Sequence, residues 1–340
     1  MVRRFTLAPV VSAPLATVLP VVVGLVLAGP VNPVLGPLFV MAQEQFEEAG
    51  GGAVATVDDT QPRTPWGAPD LRGVWDYRTM TPLQRPLEFG DKQVLTEEEA
   101  AAYERREGAR LDDYDSSPSV HAKWWLDNGR EMTADKRTSL ITSPADGRLP
   151  ASTADSRLRA EKRATARALT LGVEDRSLTE RCLTFGIPSL PRAYNSNLQI
   201  LQTPTTVALV SEMIHDARVV PLDGRAHVRD ELRQWHGDAR GHWDGDTLVV
   251  ETTNFSGHGN FRGSTESLRL VERFTRLDAS TINYVLTVDD PGTWEVPWTV
   301  MVPFAKSDQA LFEYACHEGN RGLRNILSNA RFAENTGATK

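Results

Sequence analysis

A series of short apolar segments separated by turn sequences constrains the fold more than any other feature of the chain. Between about residues 197 and 318 the strand-like segments are LQILQT, TVALVSEM, DTLVVETTNF, ESLRLVERFTRLD, TINYVLTVDD, WTVMVPF and ALFEYACH. The segments LDGR, WDGD, LDAST and DDPGTW between them are typical of turns. Short strands at this spacing indicate an antiparallel sandwich or barrel. We predict a mainly β fold with an antiparallel, barrel-like core.

Two helices are predicted in the N-terminal half of the chain, near residues 95–108 and 152–169. In the first, Thr96 and Glu99 have the spacing of a capping box, and Gly108 is suited to end a helix. The second is rich in Ala and Arg, which favour helices. We expect one β-rich domain over residues 65–328, followed by a tail over 329–340.

The first 42 residues have the pattern of an export signal. Arg3 and Arg4 are followed by apolar sequence with no further charge before Glu44, and Val40-Met41-Ala42 provides small residues for cleavage after Ala42. We therefore expect a periplasmic or secreted protein, with a flexible linker over residues 43–64. An uncleaved signal, which is the alternative, would be the protein's only contact with a membrane.

Charge and motif content argue against several classes of function. The formal net charge of −8 and the absence of a basic stripe argue against a nucleic-acid partner. The chain has no GxSxG, P-loop, HExxH or Rossmann motif, so nothing indicates a nucleotide, a cofactor, a serine hydrolase or a zincin. In an oxidising compartment Cys182 and Cys316 are expected to form a disulfide, with two buried thiols as the alternative.

The alternation of residues along the predicted strands gives candidate catalytic groups. One ionisable side chain in each of several strands falls among apolar neighbours, on the side expected to face inward. Such groups must be paired, neutralised or placed beside a wet cavity. We predict that they line an internal pocket and act as acid–base residues; they are His215, Glu272, Glu313 and His317.

Other polar and aromatic residues are candidates for substrate binding. Tyr194, Asn195 and Asn197 precede a strand, Trp124 has the character of a residue that covers a pocket mouth, and Glu251 shares a predicted inward face with Val249. His236 and His242 lie in the turn-rich stretch HGDARGHWDGD, where a solvated acidic turn is favoured over a metal site. A buried His–Glu pair that only joins strands is the structural alternative, and one bulge would reverse every inward assignment after it.

Several segments in a fixed order resemble a large family of exported bacterial proteins. They are TPWGAPDLRGVW, EMIHDARVVPLDGRAH, GHWDGDTLVVETTNF and EYACHEGN, and the resemblance covers roughly residues 64–328. It implies export and a β-rich fold, and it supplies neither an activity nor catalytic residues. The Gly73-Val74-Trp75 start also resembles that of lipocalins, which implies a tryptophan closing one end of a barrel.

These observations favour an exported enzyme that performs metal-independent acid–base chemistry on a small apolar molecule in the barrel. Isomerisation, cyclisation and the addition or removal of water all fit the predicted residues. A lipocalin-like carrier of a lipid or pigment is one alternative. A metalloprotein that uses His215, His317 and a carboxylate is another.

Overall fold

Ten strands form one antiparallel sheet in the computed structural model, which describes residues 61–116, 127–188, 190–258 and 261–337. In chain order the strands are β1 (Gly73–Asp76), β2 (Ile141–Ser143), β3 (Asn197–Gln202), β4 (Thr206–Ser211), β5 (Ala217–Pro221), β6 (Asp238–Asp244), β7 (Thr247–Thr253), β8 (Arg269–Arg276), β9 (Thr281–Asp289) and β10 (Trp298–Ser307). The helices of the described chain are α1 (Glu97–Ser116), α2 (Ala154–Leu169) and α3 (Arg321–Thr336). The predicted signal, most of the linker and Trp124 lie outside the described residues.

The sheet curls into a nearly closed barrel of nine strands, which confirms the predicted fold class. Its hydrogen-bonded order is β5-β4-β3-β1-β10-β9-β8-β7-β6, and the short β2 pairs with β10 outside this path. Nine strands in antiparallel succession leave the two end strands, β5 and β6, running in the same direction. These strands lie side by side without a ladder, and we call the gap between them the seam.

Glycine on β6 allows the two sides of the seam to approach closely. A Cβ on Gly241 would lie 2.6 Å from Leu222 Cδ2 and 2.8 Å from Val220 Cγ1. Residues 222–237 must return from the end of β5 to the start of β6, because the two strands are parallel. Both strands consequently begin at the same end of the barrel, which we call the site end.

Apolar alternation fills the barrel interior. Along β9 every second residue from Ile282 to Val288 is buried, and β8 and β10 contribute matching inward rows. At the end opposite the site end, Trp75 is fully buried and its Nε1 donates to Leu71 O at 2.8 Å. The Arg276 guanidinium lies 5.3 Å from the Trp75 ring centroid and donates to Ala279 O at 2.7 Å. The resemblance of Gly73-Val74-Trp75 to a lipocalin start thus coincides with a tryptophan buried at one barrel end.

One charged network crosses this apolar interior. Arg218 of β5 donates both terminal nitrogens to Glu272 of β8, and Tyr284 of β9 donates its hydroxyl to the same carboxylate at 2.8 Å. Glu272 is completely buried, as its inward position on the predicted strand requires. Burial opposes the charge of Arg218, but the adjacent carboxylate raises its pKa overall, while burial raises the pKa of Tyr284. Arg218 and Glu272 neutralise each other, and together with the Tyr284 hydroxyl they join three strands.

The two predicted helices in the N-terminal half are present, whereas most of the predicted C-terminal tail belongs to a helix. Thr96 N donates to Glu99 Oε2 at 2.9 Å and Glu99 N donates to Thr96 Oγ1 at 3.2 Å, which is the predicted capping box before α1. The tail predicted over 329–340 is wrong because α3 extends to Thr336. None of the helices in the described ranges is long and apolar enough to cross a membrane.

Three strand assignments from the sequence are wrong, each for a local reason. The predicted strand that carries His215 is interrupted by the hairpin loop between β4 and β5, where Ile214 (φ 55°) and His215 (φ 43°) are left-handed. ALFEYACH forms no strand and is irregular, with a turn at its end before α3. The polar stretch from Asp238 to Asp244, predicted as a loop, is β6, which forms a hairpin with β7.

Replacing Arg218 with Met should destabilise the protein by about 3–5 kcal/mol, since it leaves the buried Glu272 carboxylate without its partner. The matched control is Arg273→Gln on β8, which removes an exposed ion pair with Asp244 and should cost less than about 1 kcal/mol. Denaturant unfolding of both variants measures the difference. Equal losses in the two variants would contradict the importance assigned to the interior network.

Candidate functional site

Two buried carboxylates mark the site end of the barrel. Asp216 immediately precedes β5, and Asp238 is the first residue of β6. Each lies beside a histidine contributed by the returning segment 222–237. The parallel seam brings these two histidine–aspartate pairs to one end of the barrel, although the residues are scattered in the sequence.

Asp216 forms a compact hydrogen-bond network with Thr184 and His236. Thr184 Oγ1 donates to Asp216 Oδ2 at 2.6 Å, and the Phe185 N–H donates to the same oxygen at 3.2 Å. His236 Nε2 lies 2.8 Å from Thr184 Oγ1 and 3.3 Å from Asp216 Oδ1. Both Thr184 and Asp216 are buried, whereas the His236 side chain remains 23% exposed. The arrangement therefore holds the Nε2 edge of an imidazole on a buried carboxylate and leaves part of the ring accessible.

The hydrogen-bond donors in this network fix the tautomer of neutral His236. Thr184 Oγ1 has one proton, which it donates to Asp216, and it already accepts from the Gly186 N–H at 2.7 Å. Its contact with His236 Nε2 therefore requires Nε2 to carry a proton. Nδ1 then has the free lone pair of the neutral ring, and it has no hydrogen-bond partner among the described residues. His236 can accept a proton at Nδ1 while Asp216 balances the resulting charge.

The backbone before β6 holds His236 in place. Gln234 N donates to Asn254 O at 2.9 Å, and Ser256 N donates to Gln234 O at 2.8 Å. Gly237 follows with φ 68°, and a Cβ there would lie only 2.4 Å from Thr253 O. Glycine is required here by both the left-handed conformation and the close approach of β7.

The second pair joins His227 and Asp238. His227 Nδ1 lies 2.9 Å from Asp238 Oδ2, which also accepts from the Val228 N–H at 3.1 Å. Arg240 Nη1 donates to Asp238 Oδ1 at 2.7 Å. Asp238 is thus paired with a permanent cation, whereas Asp216 forms no such ion pair within the described chain.

A cleft of about 550 Å³ runs along the seam beside His236. We call it the seam cleft; it is lined by residues 217–219 and 233–239. Val219 is 66% exposed and Trp235 is 42% exposed, so apolar side chains flank the imidazole. A larger cleft of about 840 Å³ is lined by Thr184 and shares Trp235 with the seam cleft.

The segment that carries Thr184 is clamped by the C-terminal part of the chain. The predicted disulfide between Cys182 and Cys316 is confirmed, and Asn320 donates to Glu180 O at 2.9 Å while capping α3. Arg331 of α3 donates to Thr170 O at 2.7 Å and to Leu171 O at 2.8 Å. Cys182 lies two residues before Thr184, so the disulfide anchors the segment that supplies a member of the site.

The predicted catalytic residues do not meet in one pocket. His215, Glu313 and His317 are exposed, so the inward positions predicted for them are wrong. His215 lies in the β4–β5 hairpin loop, and the other two lie in the irregular segment before α3. Glu272 alone occupies its predicted interior position, where it is bound to Arg218 and Tyr284.

The predicted binding residues are also dispersed. Glu251 lies on the outer face of β7 and accepts from Arg269 Nε at 2.9 Å; its predicted inward position is wrong because adjacent Val249 and Val250 leave the strand phase ambiguous. Asn197 donates to the buried Glu212 carboxylate at 2.6 Å, and Asn195 has a left-handed backbone.

Two further sequence predictions concern Tyr194 and metal binding. Burial, together with its hydrogen bond to Tyr194, raises the pKa of Tyr314 to about 12, so Tyr194 has a structural contact. No group of three or more metal-ligating side chains occurs within the described ranges, and His215 and His317 form none with a carboxylate there.

Comparison of the chain with protein-family models, curated proteins and solved structures found no match. The resemblance to exported bacterial proteins therefore stays a prediction, and the site is interpreted from its geometry.

Sequence reasoning missed His236, Thr184 and the role of Asp216. The turn-rich sequence around His236 favours a solvated turn, and Asp216 is not among the residues predicted to face inward. The available signal was Gly237 directly after Trp235-His236, since a glycine at a strand entry indicates a backbone held close to a neighbour.

Gly237→Ala should disturb His236 through both strain and the contact with β7. Gly224→Ala is a matched control in the same returning segment, because Gly224 has φ 71° but nothing within 4 Å of the added Cβ. Both variants should lose about 1 kcal/mol from the left-handed backbone, and Gly237→Ala should lose at least about 1 kcal/mol more. Denaturant unfolding and the His236 imidazole NMR signals measure the two effects. Identical behaviour of the variants would refute the packing role of Gly237.

Cys316→Ser should release the segment that carries Thr184. The disulfide closes a separation of 134 residues, so the chain-entropy model predicts a loss of about 4–5 kcal/mol in the free energy of unfolding. Hydrogen exchange should accelerate at residues 170–186 more than in β8 and β9. Cys182→Ser should give the same pattern, and unchanged exchange in that segment would show that α3 clamps it without the disulfide.

Proposed function

We propose that this protein is an enzyme that transfers protons on a small apolar molecule bound in the seam cleft. His236 is the acid–base group, and Asp216 and Thr184 are its positioning residues. The observation that carries this proposal is the 3.3 Å contact of His236 Nε2 with a buried carboxylate, which directs the other ring nitrogen away from the network. Isomerisation, cyclisation and hydration or dehydration each require such a proton transfer.

The position of the site differs from the interior pocket that the sequence indicates. Glu272 is buried inside the barrel, and its carboxylate is bound to Arg218 and Tyr284. It is therefore less accessible to a substrate than His236. His236 is accessible at the edge of the barrel, and the exposed Val219 and Trp235 side chains beside it support an apolar substrate. The disulfide is consistent with the proposed export to an oxidising compartment.

Deuterium incorporation tests proton transfer without knowledge of the natural substrate. A panel of small apolar ketones, enones and hydroxyketones in D₂O is followed by ¹H NMR for loss of acidic C–H signals. Wild-type protein should accelerate exchange of at least one compound, and His236→Gln should reduce that rate by about 100-fold or more. The control is His215→Gln, which alters an exposed histidine outside the seam cleft and should retain the rate.

The same panel distinguishes catalysis from carriage. Native mass spectrometry records which compounds bind, so a compound that binds without exchanging hydrogen would support the lipocalin-like carrier instead. Retention of full exchange by His236→Gln would remove His236 from the proposal. Exchange that depends on added divalent metal would favour the metalloprotein alternative.

A further inference from the structure

A third cleft, separate from the seam cleft, lies beside α1 and has a volume of about 370 Å³. We call it the α1 cleft; its lining includes residues 79–83 and 190–193 and shares no residue with the seam cleft. Its size falls in the range of small-molecule pockets, about 300–1,000 Å³. The arginines in its lining belong neither to the proton-transfer network nor to the barrel interior.

Arg192 is the first unusual feature of the α1 cleft. Its guanidinium lies 3.8 Å from the Phe185 ring centroid, donates from Nη2 to Gly186 O at 3.4 Å and lies beside the Tyr77 hydroxyl. Its Nε is buried without a partner. Burial lowers the pKa of Arg192, although Tyr77 lies close enough to favour the charged form. A stacked guanidinium with unused donors is well suited to bind a carboxylate or phosphate.

Arg262 supplies a second guanidinium to the same cleft. It lies 5.9 Å from the Phe261 ring centroid and forms no ion pair or hydrogen bond with a described residue. Burial lowers its pKa as well, even though part of the side chain is exposed. Two arginines that form no salt bridge with a described carboxylate therefore border one cleft, although Asp216 lies within electrostatic reach of Arg192.

The third arginine of the α1 cleft provides a contrast. Arg110 Nε donates to Glu107 Oε2 at 2.7 Å, and its charge is thereby balanced. Since Glu107 is engaged with Arg110 and also with Arg106, it does not pair with Arg192 or Arg262. Positive charge in the cleft is therefore in excess over the described side chains.

The remaining walls of the α1 cleft combine apolar side chains with polar ones such as Thr79, Thr81 and Asn128. Pro82, Leu83, Leu111, Leu140 and Leu190 contribute to its lining. Leu140 and Leu190 are themselves buried in the main core, so this surface is rigidly supported. Apolar walls beside two unpaired guanidinium groups complement a molecule with one anionic group and an apolar body.

We propose that the α1 cleft binds a small amphiphilic anion, whose carboxylate pairs with Arg192 and Arg262 while its apolar body contacts the leucine-lined wall. This site is separate from the seam cleft in its lining residues, although Asp216 lies within electrostatic reach of Arg192. The α1 cleft fits a medium-chain or aromatic carboxylate better than a simple inorganic anion. An inorganic anion would pair with the arginines but would leave the apolar wall exposed to water.

Isothermal titration calorimetry with octanoate tests this site directly. Octanoate should bind, whereas acetate, which lacks the apolar body, and octanol, which lacks the charge, should each bind at least about 10-fold more weakly. Arg192→Gln should weaken octanoate binding by about 10-fold or more, and Arg262→Gln should weaken it less, in proportion to its greater exposure. Arg110→Gln is the matched control, because it removes a paired arginine from the same cleft and should change binding little.

Thermal unfolding in the absence of octanoate separates binding from stability. Arg192→Gln should keep the wild-type melting temperature within a few degrees, because the arginine has no ion pair to lose. Arg192→Lys should bind octanoate more tightly than Arg192→Gln but more weakly than the wild type, because lysine keeps the positive charge and lacks the planar guanidinium. Equal binding of octanoate and octanol, or loss of affinity in Arg110→Gln equal to that in Arg192→Gln, would overturn the proposal. His236→Gln should bind octanoate normally, so failure of this site and failure of the proposed proton transfer are distinguishable.

Discussion

An antiparallel path of nine strands cannot close with an antiparallel pair, and this constraint organises the candidate site. The end strands β5 and β6 run in parallel, so the chain between them must travel back along the barrel before β6 begins. That returning segment delivers His227 and His236 to the end where Asp216 and Asp238 start the two strands. The seam is also the part of the barrel wall that lacks a backbone ladder, so a cleft can open there without breaking strand pairing.

The interior of the barrel explains why the chemistry is assigned to its edge. Arg218 and Glu272 are expensive to bury, and they are tolerated because each satisfies the other and Tyr284 completes the carboxylate. Arg218 also lies within electrostatic reach of Asp216, two residues earlier in the chain. The interior network thereby holds the start of β5 and keeps the Arg218 guanidinium near Asp216. Glu272, with its carboxylate fully hydrogen-bonded, stabilises the barrel and contributes to the local electrostatic potential. His236, in contrast, keeps Nδ1 free to bind a ligand.

The barrel itself could be predicted from sequence because most of its strands carry a regular apolar alternation. Glu272 was placed correctly for that reason, since LRLVERF specifies one phase without ambiguity. The phase of the strand with His215 failed because two left-handed residues, Ile214 and His215, interrupt it, and neither residue type signals that conformation. The candidate site could not be predicted from the sequence for a different reason. Thr184, Asp216 and His236 come from three loops, and no local pattern encodes the parallel seam that brings them together.

The donors around Asp216 determine which group in the network can exchange a proton. Its Oδ2 accepts from both Thr184 and the Phe185 backbone, and its Oδ1 faces His236, so the carboxylate is engaged on both oxygens. Both oxygens of Asp216 therefore act as acceptors toward the donors around them. Thr184 is equally committed, because its oxygen accepts from Gly186 and its proton is donated to Asp216. In the proposed reaction, His236 Nδ1 therefore exchanges the proton with the bound molecule, while Asp216 and Thr184 hold the ring.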